Sequence, residues 1–201
     1  MGFSRLSATP LPETPTLPEF PVRDEIPVFI ERGTLRCAVL DDMPFLRDLY
    51  RSHRSGEFAS LGWPVEQTRA FLDQQFDFQH RAYLATFPEA AFLLILSEGA
   101  PVGRIYVDFS SDPRHLIEIG LVPERRNVGI GTMLILAIQH QARSSGATGV
   151  SLHVGSDNEG AQRFYRRLGF EEIAHEGAYA RMKWAAAQRP GSPGDVVPAI
   201  S

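Results

Sequence analysis

The chain has 201 residues, 43% of them hydrophobic and 22% charged, which are ordinary values for one globular domain with a substantial core. A net charge of −4 argues against a general nucleic-acid binder, and the single cysteine, Cys37, excludes an internal disulfide and any cysteine-cluster metal site. No apolar run is long enough to span a bilayer, and the N-terminus lacks the charged-then-apolar pattern of a signal peptide, so a cytoplasmic protein with no membrane partner is expected.

Residues 1–30 carry Pro10, Pro12, Pro15, Pro18, Pro21 and Pro27 with little apolar periodicity, and read as an extended, proline-rich N-terminal extension. A folded domain is expected over residues 31–186, followed by a Pro/Gly/Ser-rich flexible tail, 187–201. Gly33–Leu40 predicts a first strand. Asp41 or Asp42 then caps a helix with Pro44 in its first turn, and Met43, Leu46, Leu49, Tyr50 and His53 form its buried side. Ser55–Trp63 is a polar break. A second helix runs from Val65 to about Leu84, with Phe71, Leu72, Phe76 and Tyr83 near helical spacing. Ala91–Leu96 and Val102–Phe109 are strands joined by a tight turn at Glu98–Pro101, and a third begins near Leu116. Three strands joined by short turns predict an antiparallel meander, not strict βαβ alternation. A helix over Ile130–Ser144 follows, stopped by Gly146, and then a strand over Gly149–Gly155. A short helix over Asn158–Leu168 starts from a capping box in Ser156–Glu159 and ends at Gly169. Phe170–Ala174 and Tyr179–Trp184 close the sheet.

The stretch from Leu116 to Thr132 is the most informative. It passes from an apolar strand, through Pro123, into a basic glycine-bearing loop that opens a helix. Such a loop is a ready anion site, because the first helical N–H groups have no internal partner and the helix dipole favours negative charge. Gly129 and Gly131 would let backbone approach a phosphate closely. The loop lacks the third glycine of the dinucleotide fingerprint, where Leu134 stands, and lacks a lysine before Thr132 for a P-loop. It does fit R-x-x-G-x-G, read as Arg126-Asn127-Val128-Gly129-Ile130-Gly131.

That motif resembles the pyrophosphate loop of the GNAT superfamily of N-acetyltransferases, and the order of predicted elements from Gly33 to Trp184 is similar to the family's. A second family feature is Asn158, Ala161, Phe164-Tyr165 and Gly169-Phe170, in the right order after an intervening strand. The resemblance implies an α/β (α+β) fold with a mixed, mostly antiparallel sheet of six or seven strands and about four helices. It implies acetyl-CoA as co-substrate, no metal, and the primary amine of a small molecule, protein or peptide as acceptor, with a homodimer allowed for. A non-catalytic coenzyme A-binding module and a transferase of a longer acyl group are the alternatives on the same fold.

Site residues follow from the same resemblance. Arg126 and the backbone of Asn127, Val128, Gly129, Ile130, Gly131 and Thr132 would hold the pyrophosphate, and Asn158 would contact pantetheine. Ile119, Gly120 and Leu121 match the strand that splays from its neighbour in the family and offers backbone groups to the cofactor. Tyr165 would lie beside the sulfur as general acid, its alternative being a core aromatic. For the base there are two candidates: His153, with an imidazole near neutral pKa, and Glu118, a carboxylate inside an apolar strand. Either could instead be structural, His153 as hydrogen-bonded filler and Glu118 as partner of Arg104 or Arg114. The acceptor pocket would draw on Tyr50, Phe58, Trp63 and Tyr179, and no acidic cluster there favours a polycation.

Overall fold

A computed structural model describes residues 17–21, 34–58 and 62–186. Most of the proline-rich extension, Gly33 of the predicted first strand and the tail from residue 187 lie outside the described residues. Seven strands form a single sheet: β1 (Thr34–Cys37), β2 (Ala91–Ser97), β3 (Ala100–Asp108), β4 (Arg114–Leu121), β5 (Gly149–Gly155), β6 (Glu171–Glu176) and β7 (Tyr179–Ala185). Four helices accompany it: α1 (Met43–Phe58), α2 (Val65–Thr86), α3 (Ile130–Ser144) and α4 (Glu159–Arg167). The order across the sheet is β1-β2-β3-β4-β5-β7-β6, with every neighbouring pair antiparallel except β4 and β5. The predicted meander is therefore β2-β3-β4.

Both faces of the centre are covered, which is why β2 reads as an unbroken apolar run. Its alternate residues enter different cores. Phe92 and Leu94 pack with Leu46 and Tyr50 of α1 and Leu72 and Phe76 of α2. Ala91, Leu93 and Ile95 pack with Leu134, Ile135 and Ile138 of α3, with Tyr165 of α4 and with Leu152 and Val154 of β5. The short described segment Leu17–Pro21 joins the first core. Phe20 is buried against Phe92 and meets His80 edge-on at 4.7 Å, and the His80 imidazole lies 2.9 Å from the Pro18 carbonyl.

Several local expectations shift. The first strand ends at Cys37, because a single 3₁₀ turn at Leu40–Asp42 precedes α1. Of the two aspartates, Asp42 closes that turn: its carboxylate accepts the Val39 N–H at 2.9 Å and is clasped by Arg36. The helix continues through Phe58, so residues 55–58 are helical rather than part of a break. The cap of α4 is Asn158, whose Oδ1 accepts the Ala161 N–H at 3.0 Å, and not Ser156. The Ser156 hydroxyl is 3.1 Å from His175 Nε2 instead, across the strand pair.

One irregularity governs the site. The register between β3 and β4 slips so that Glu118 faces Tyr106 and Leu116 faces Val107, leaving Ile117 as the extra residue of a β-bulge. Leu116 belongs to the α3/α4 core and Ile117 packs on the α1/α2 core. Strict alternation would return Glu118 to the α3/α4 face. The bulge keeps it with Tyr106 and Arg104 on the α1/α2 face, and Gly120 with it. There Arg104, 1% exposed, pairs with Glu118 and also donates to Gln79 Oε1 at 3.2 Å. Its guanidinium lies over the rings of Phe76 and Tyr106, at 5.5 and 5.3 Å.

Removing one member of a buried ion pair leaves the other charge without compensation. Glu118→Gln should therefore lower the unfolding free energy by about 3 kcal/mol. The double variant Arg104→Met/Glu118→Gln should recover part of the loss in urea titrations.

Candidate active site

β4 and β5 are paired over only three positions, Arg114 with Val150, His115 with Ser151 and Leu116 with Leu152. Both strands continue, to Leu121 and Gly155, without further pairing between them. Val122 N–H donates to Val102 O at 2.9 Å, and the Gly120 carbonyl faces Gly103 of β3. Alternation then turns the peptide groups of Ile119 and Leu121 toward the open side. The splay expected at Ile119, Gly120 and Leu121 is present.

The gap opens into a cleft of about 710 Å³. One wall is Ile119–Leu121, and another is the loop, from which Arg126, Asn127, Gly129, Gly131 and Thr132 contribute. Asn158, Ala161, Phe164, Tyr165 and Arg167 of the α4 region supply the third. Val128 is 63% exposed outside the cleft, and Ile130 turns into the α3/α4 core, so these two could contribute only main-chain groups.

The loop's shape explains its residue types. Asn127 and Gly129 both have left-handed backbone, with φ of 60° and 91°. Asparagine and glycine are the residues that reach this region most readily. Left-handed residues in a turn before a helix aim successive N–H groups into a concavity suited to an anion. Space beyond the Gly129 Cα is open, whereas a Cβ on Gly131 would lie 3.4 Å from the Phe164 ring. Arg126 folds back, its Nε donating to the Leu121 carbonyl at 3.0 Å.

The α4 wall is held from behind. Gln162 donates to the carbonyls of Gly155 and Ser156, both at 3.1 Å, and Gln139 of α3 donates to the Leu168 carbonyl at 2.9 Å. Tyr165 is only 7% exposed, packed edge-on against Phe164 and Phe170, yet it lines the cleft. Burial, reinforced by the negative charge of Glu118, pushes its phenol well above the ordinary range, so it carries its proton at neutral pH.

The two residues read as possible bases are not in the cleft lining. Glu118 lies behind β4, committed to Arg104 through one oxygen while the other is buried with no hydrogen-bond partner among the described residues. His153 is on β5, facing away from Leu152 and Val154; it meets the His115 ring at 5.4 Å, and its Nε2 is 3.5 Å from Glu176. The acceptor aromatics are dispersed as well. Tyr50 is core, and Tyr179 is 55% exposed. Phe58 and Trp63 cluster with Phe71 and line a separate groove between α1 and α2, which shares no residue with the cleft.

Two lining residues were not singled out from sequence. Arg167, at the end of α4, adds positive charge to the outer part of the cleft. His53 of α1 passes in the sequence for a core position, because it falls in register with Leu46, Leu49 and Tyr50. Its Nε2 is 2.9 Å from the Leu121 carbonyl, and its ring rests on Gly120, where an added Cβ would come within 2.7 Å of Cε1. Gly120, read from the sequence only as part of the splayed strand, was the available signal.

Comparisons with known proteins agree with this fold. A mycothiol acetyltransferase of Thermobifida fusca is 29% identical over 189 residues, covering 83% of this chain and 51% of that protein. An uncharacterized N-acetyltransferase of Methanocaldococcus jannaschii is 37% identical over 91 residues, 42% of this chain and 40% of that one. The chain thus spans about half or less of the length of these curated relatives. The crystal structure of a PaiA N-acetyltransferase from Thermoplasma acidophilum in complex with coenzyme A superposes with a TM-score of 0.58 at 18% identity, covering 76% of this chain and 98% of that one, a likeness of fold. An acetyltransferase from Thermus thermophilus gives 0.56 at 16% identity, covering 77% and 96%. The model of the acetyltransferase (GNAT) family matches residues 46–170, more than half of the 201, and the chain belongs to that family.

Proposed function

We infer that the protein transfers an acetyl group from acetyl-CoA to the primary amine of an acceptor. The observation that carries this reading is the coincidence, in one cleft, of an anion-binding loop, an unpaired strand edge and a protonated tyrosine. Each meets a separate demand of the reaction. The left-handed turn at Asn127 and Gly129 offers N–H groups and a helix N-terminus to a pyrophosphate. The edge left unpaired by β5 offers the Ile119 peptide group and the Leu121 N–H to an extended, amide-bearing chain, in the manner of an added strand, the Leu121 carbonyl being taken by Arg126 and His53. An N–H there can also polarise the thioester carbonyl as negative charge develops on its oxygen. Tyr165, on the α4 wall, can protonate the departing sulfur. A module that only binds the cofactor has no need of that last group, which favours catalysis over sensing. The names of the curated relatives are in keeping with an acetyltransferase. The acceptor is sought by screening amines with labelled acetyl-CoA and reading the products by mass spectrometry; no product from any amine would remove the catalytic reading.

Two substitutions test the parts. Gly129→Asp meets no steric obstacle beyond its left-handed backbone, but places a carboxylate where the phosphates should lie. Calorimetry should show coenzyme A binding abolished in a folded protein, and normal affinity would remove the loop from the site.

Tyr165→Phe retains the ring packing and deletes only the proton donor. It should lower kcat by about 100-fold, the usual scale for a positioned acid, with coenzyme A affinity nearly intact. Unchanged turnover under conditions where chemistry is rate-limiting would return Tyr165 to the core.

A further inference from the structure

The gap between β4 and β5 has two sides. Tyr165, the phosphate loop and Asn158 approach it from the α3/α4 face of the sheet, so the cofactor enters there. An acceptor must come from elsewhere, and the opposite face is the one walled by α1. His53 is the α1 residue that reaches the cleft. We propose that His53 is the general base of this site, accepting the acceptor's amine proton on Nδ1; the assignment rests on the acetyltransferase reading above.

The tautomer follows from the contacts. A carbonyl oxygen can only accept, so Nε2, 2.9 Å from Leu121 O, carries the ring proton and Nδ1 keeps its lone pair. Nδ1 has no hydrogen-bond partner among the described residues. The ring can occupy this place because Gly120 has no side chain: a Cβ there would lie 2.7 Å from Cε1 and 3.4 Å from Nδ1. The β-bulge at Ile117 turns Gly120 to this face. The charged groups acting on the imidazole are Arg126 of the loop, Arg104 of β3 and Glu118 of β4, two cations against one anion. Burial, and then these cations, hold its pKa below the ordinary value, while the hydrogen bond to Leu121 and Glu118 oppose them. The ring is therefore neutral and able to accept a proton at pH 7.

The proton balance is complete without another reagent. His53 takes one proton from the incoming ammonium and releases it to water. The nitrogen lone pair of the neutral amine forms the C–N bond to the thioester carbon as the carbonyl π pair moves onto oxygen. His53 takes the second amine proton as the carbonyl re-forms, and it too passes to water, which returns the imidazole to its neutral form. The C–S bond breaks with its electron pair on sulfur, Tyr165 gives its proton to that sulfur, and the phenolate recovers one from water. The net result is an amide, a thiol and one proton released to solvent. Acid and base thus work from opposite faces of one opening.

His53→Gln keeps an N–H donor for the Leu121 carbonyl and removes the titrating group. With the amine returned by the screen above, the wild type should show a kcat/KM rising with pH through a pKa below about 6.5. The variant should lose that limb and about 100-fold in kcat, with calorimetric coenzyme A affinity unchanged. In wild-type protein saturated with coenzyme A, NMR of labelled histidine should show His53 neutral at pH 7 with the proton on Nε2. A rising limb retained at near wild-type rate in the variant, a coenzyme A affinity lost with the substitution, or a proton on Nδ1 at pH 7 each overturns the assignment. A wild type that binds no coenzyme A and acetylates no amine overturns the acetyltransferase reading itself.

Discussion

Two parallel strands that stay in register for three residues and then part leave peptide groups facing an opening rather than a neighbour. An open edge inside a sheet is normally a liability, because its donors and acceptors go unmet. Here the edge is walled by the loop on one side and by α4 on the other, and the cleft exists because the strands separate. The loop, α3 and α4 are all connections that leave or return to β4 and β5, so their positions are set by the same divergence. The bulge at Ile117, the first residue beyond the last paired position, decides which side chains face which way.

Magnitudes indicate what holds this arrangement. The surface ion pairs of α1 and α2, such as Arg47 with Asp77 at 2.8 Å, are partly solvated and contribute about 0–1 kcal/mol each. The Arg104–Glu118 pair differs, since Arg104 Nε and Nη1, the Tyr106 hydroxyl and Glu118 Oε2 are buried with no well-formed hydrogen bond among the described residues. Burial and the neighbouring Glu118 charge press the Tyr83 phenol upward, and burial pushes Tyr106 up to about 12. Groups left short of partners in such a cluster are tolerated where surrounding packing fixes them, here on Phe76 and Tyr106. Arg104 stands opposite Gly120 in the β3–β4 register, and both charges of the pair act on His53, which ties the cluster to the site.

The fold was largely visible in the chain because its signals are local. Period-two strands, glycine stops and capped helices fall within a few residues of their observed limits, and Ile130–Ser144 and Gly149–Gly155 coincide with them. The shape of the loop before α3 was visible for the same reason, since Asn127 and Gly129 announce left-handed backbone. His53 was not, because its function depends on a contact with Leu121, sixty-eight positions away, and on a bulge that no pattern of β4 announces. A histidine in helical register with Leu46 and Leu49 is indistinguishable from filler until the sheet beneath it is known. The same limit applied to His153, whose place on β5 was right and whose direction was not legible. The capping box read in Ser156–Glu159 does not form, since the Ser156 hydroxyl meets His175 and Asn158 caps α4 instead.

The two cores divide the chain as well as the space. Apart from β2 and β3, which face both ways, the α1/α2 layer comes mainly from residues before Ala91, with Ile117 of β4 added, and the α3/α4 layer mainly from residues after Arg114. The cleft lining follows this division, with His53 the one contribution from the earlier part. A lineage can therefore rebuild its first two helices, by substitution or by recombination, and alter what approaches the gap while the later segment keeps its hold on the cofactor. Diversity of acceptors across such proteins would then accumulate in the first half of the domain and constancy in the second, a division of evolutionary labour set by the order of the strands.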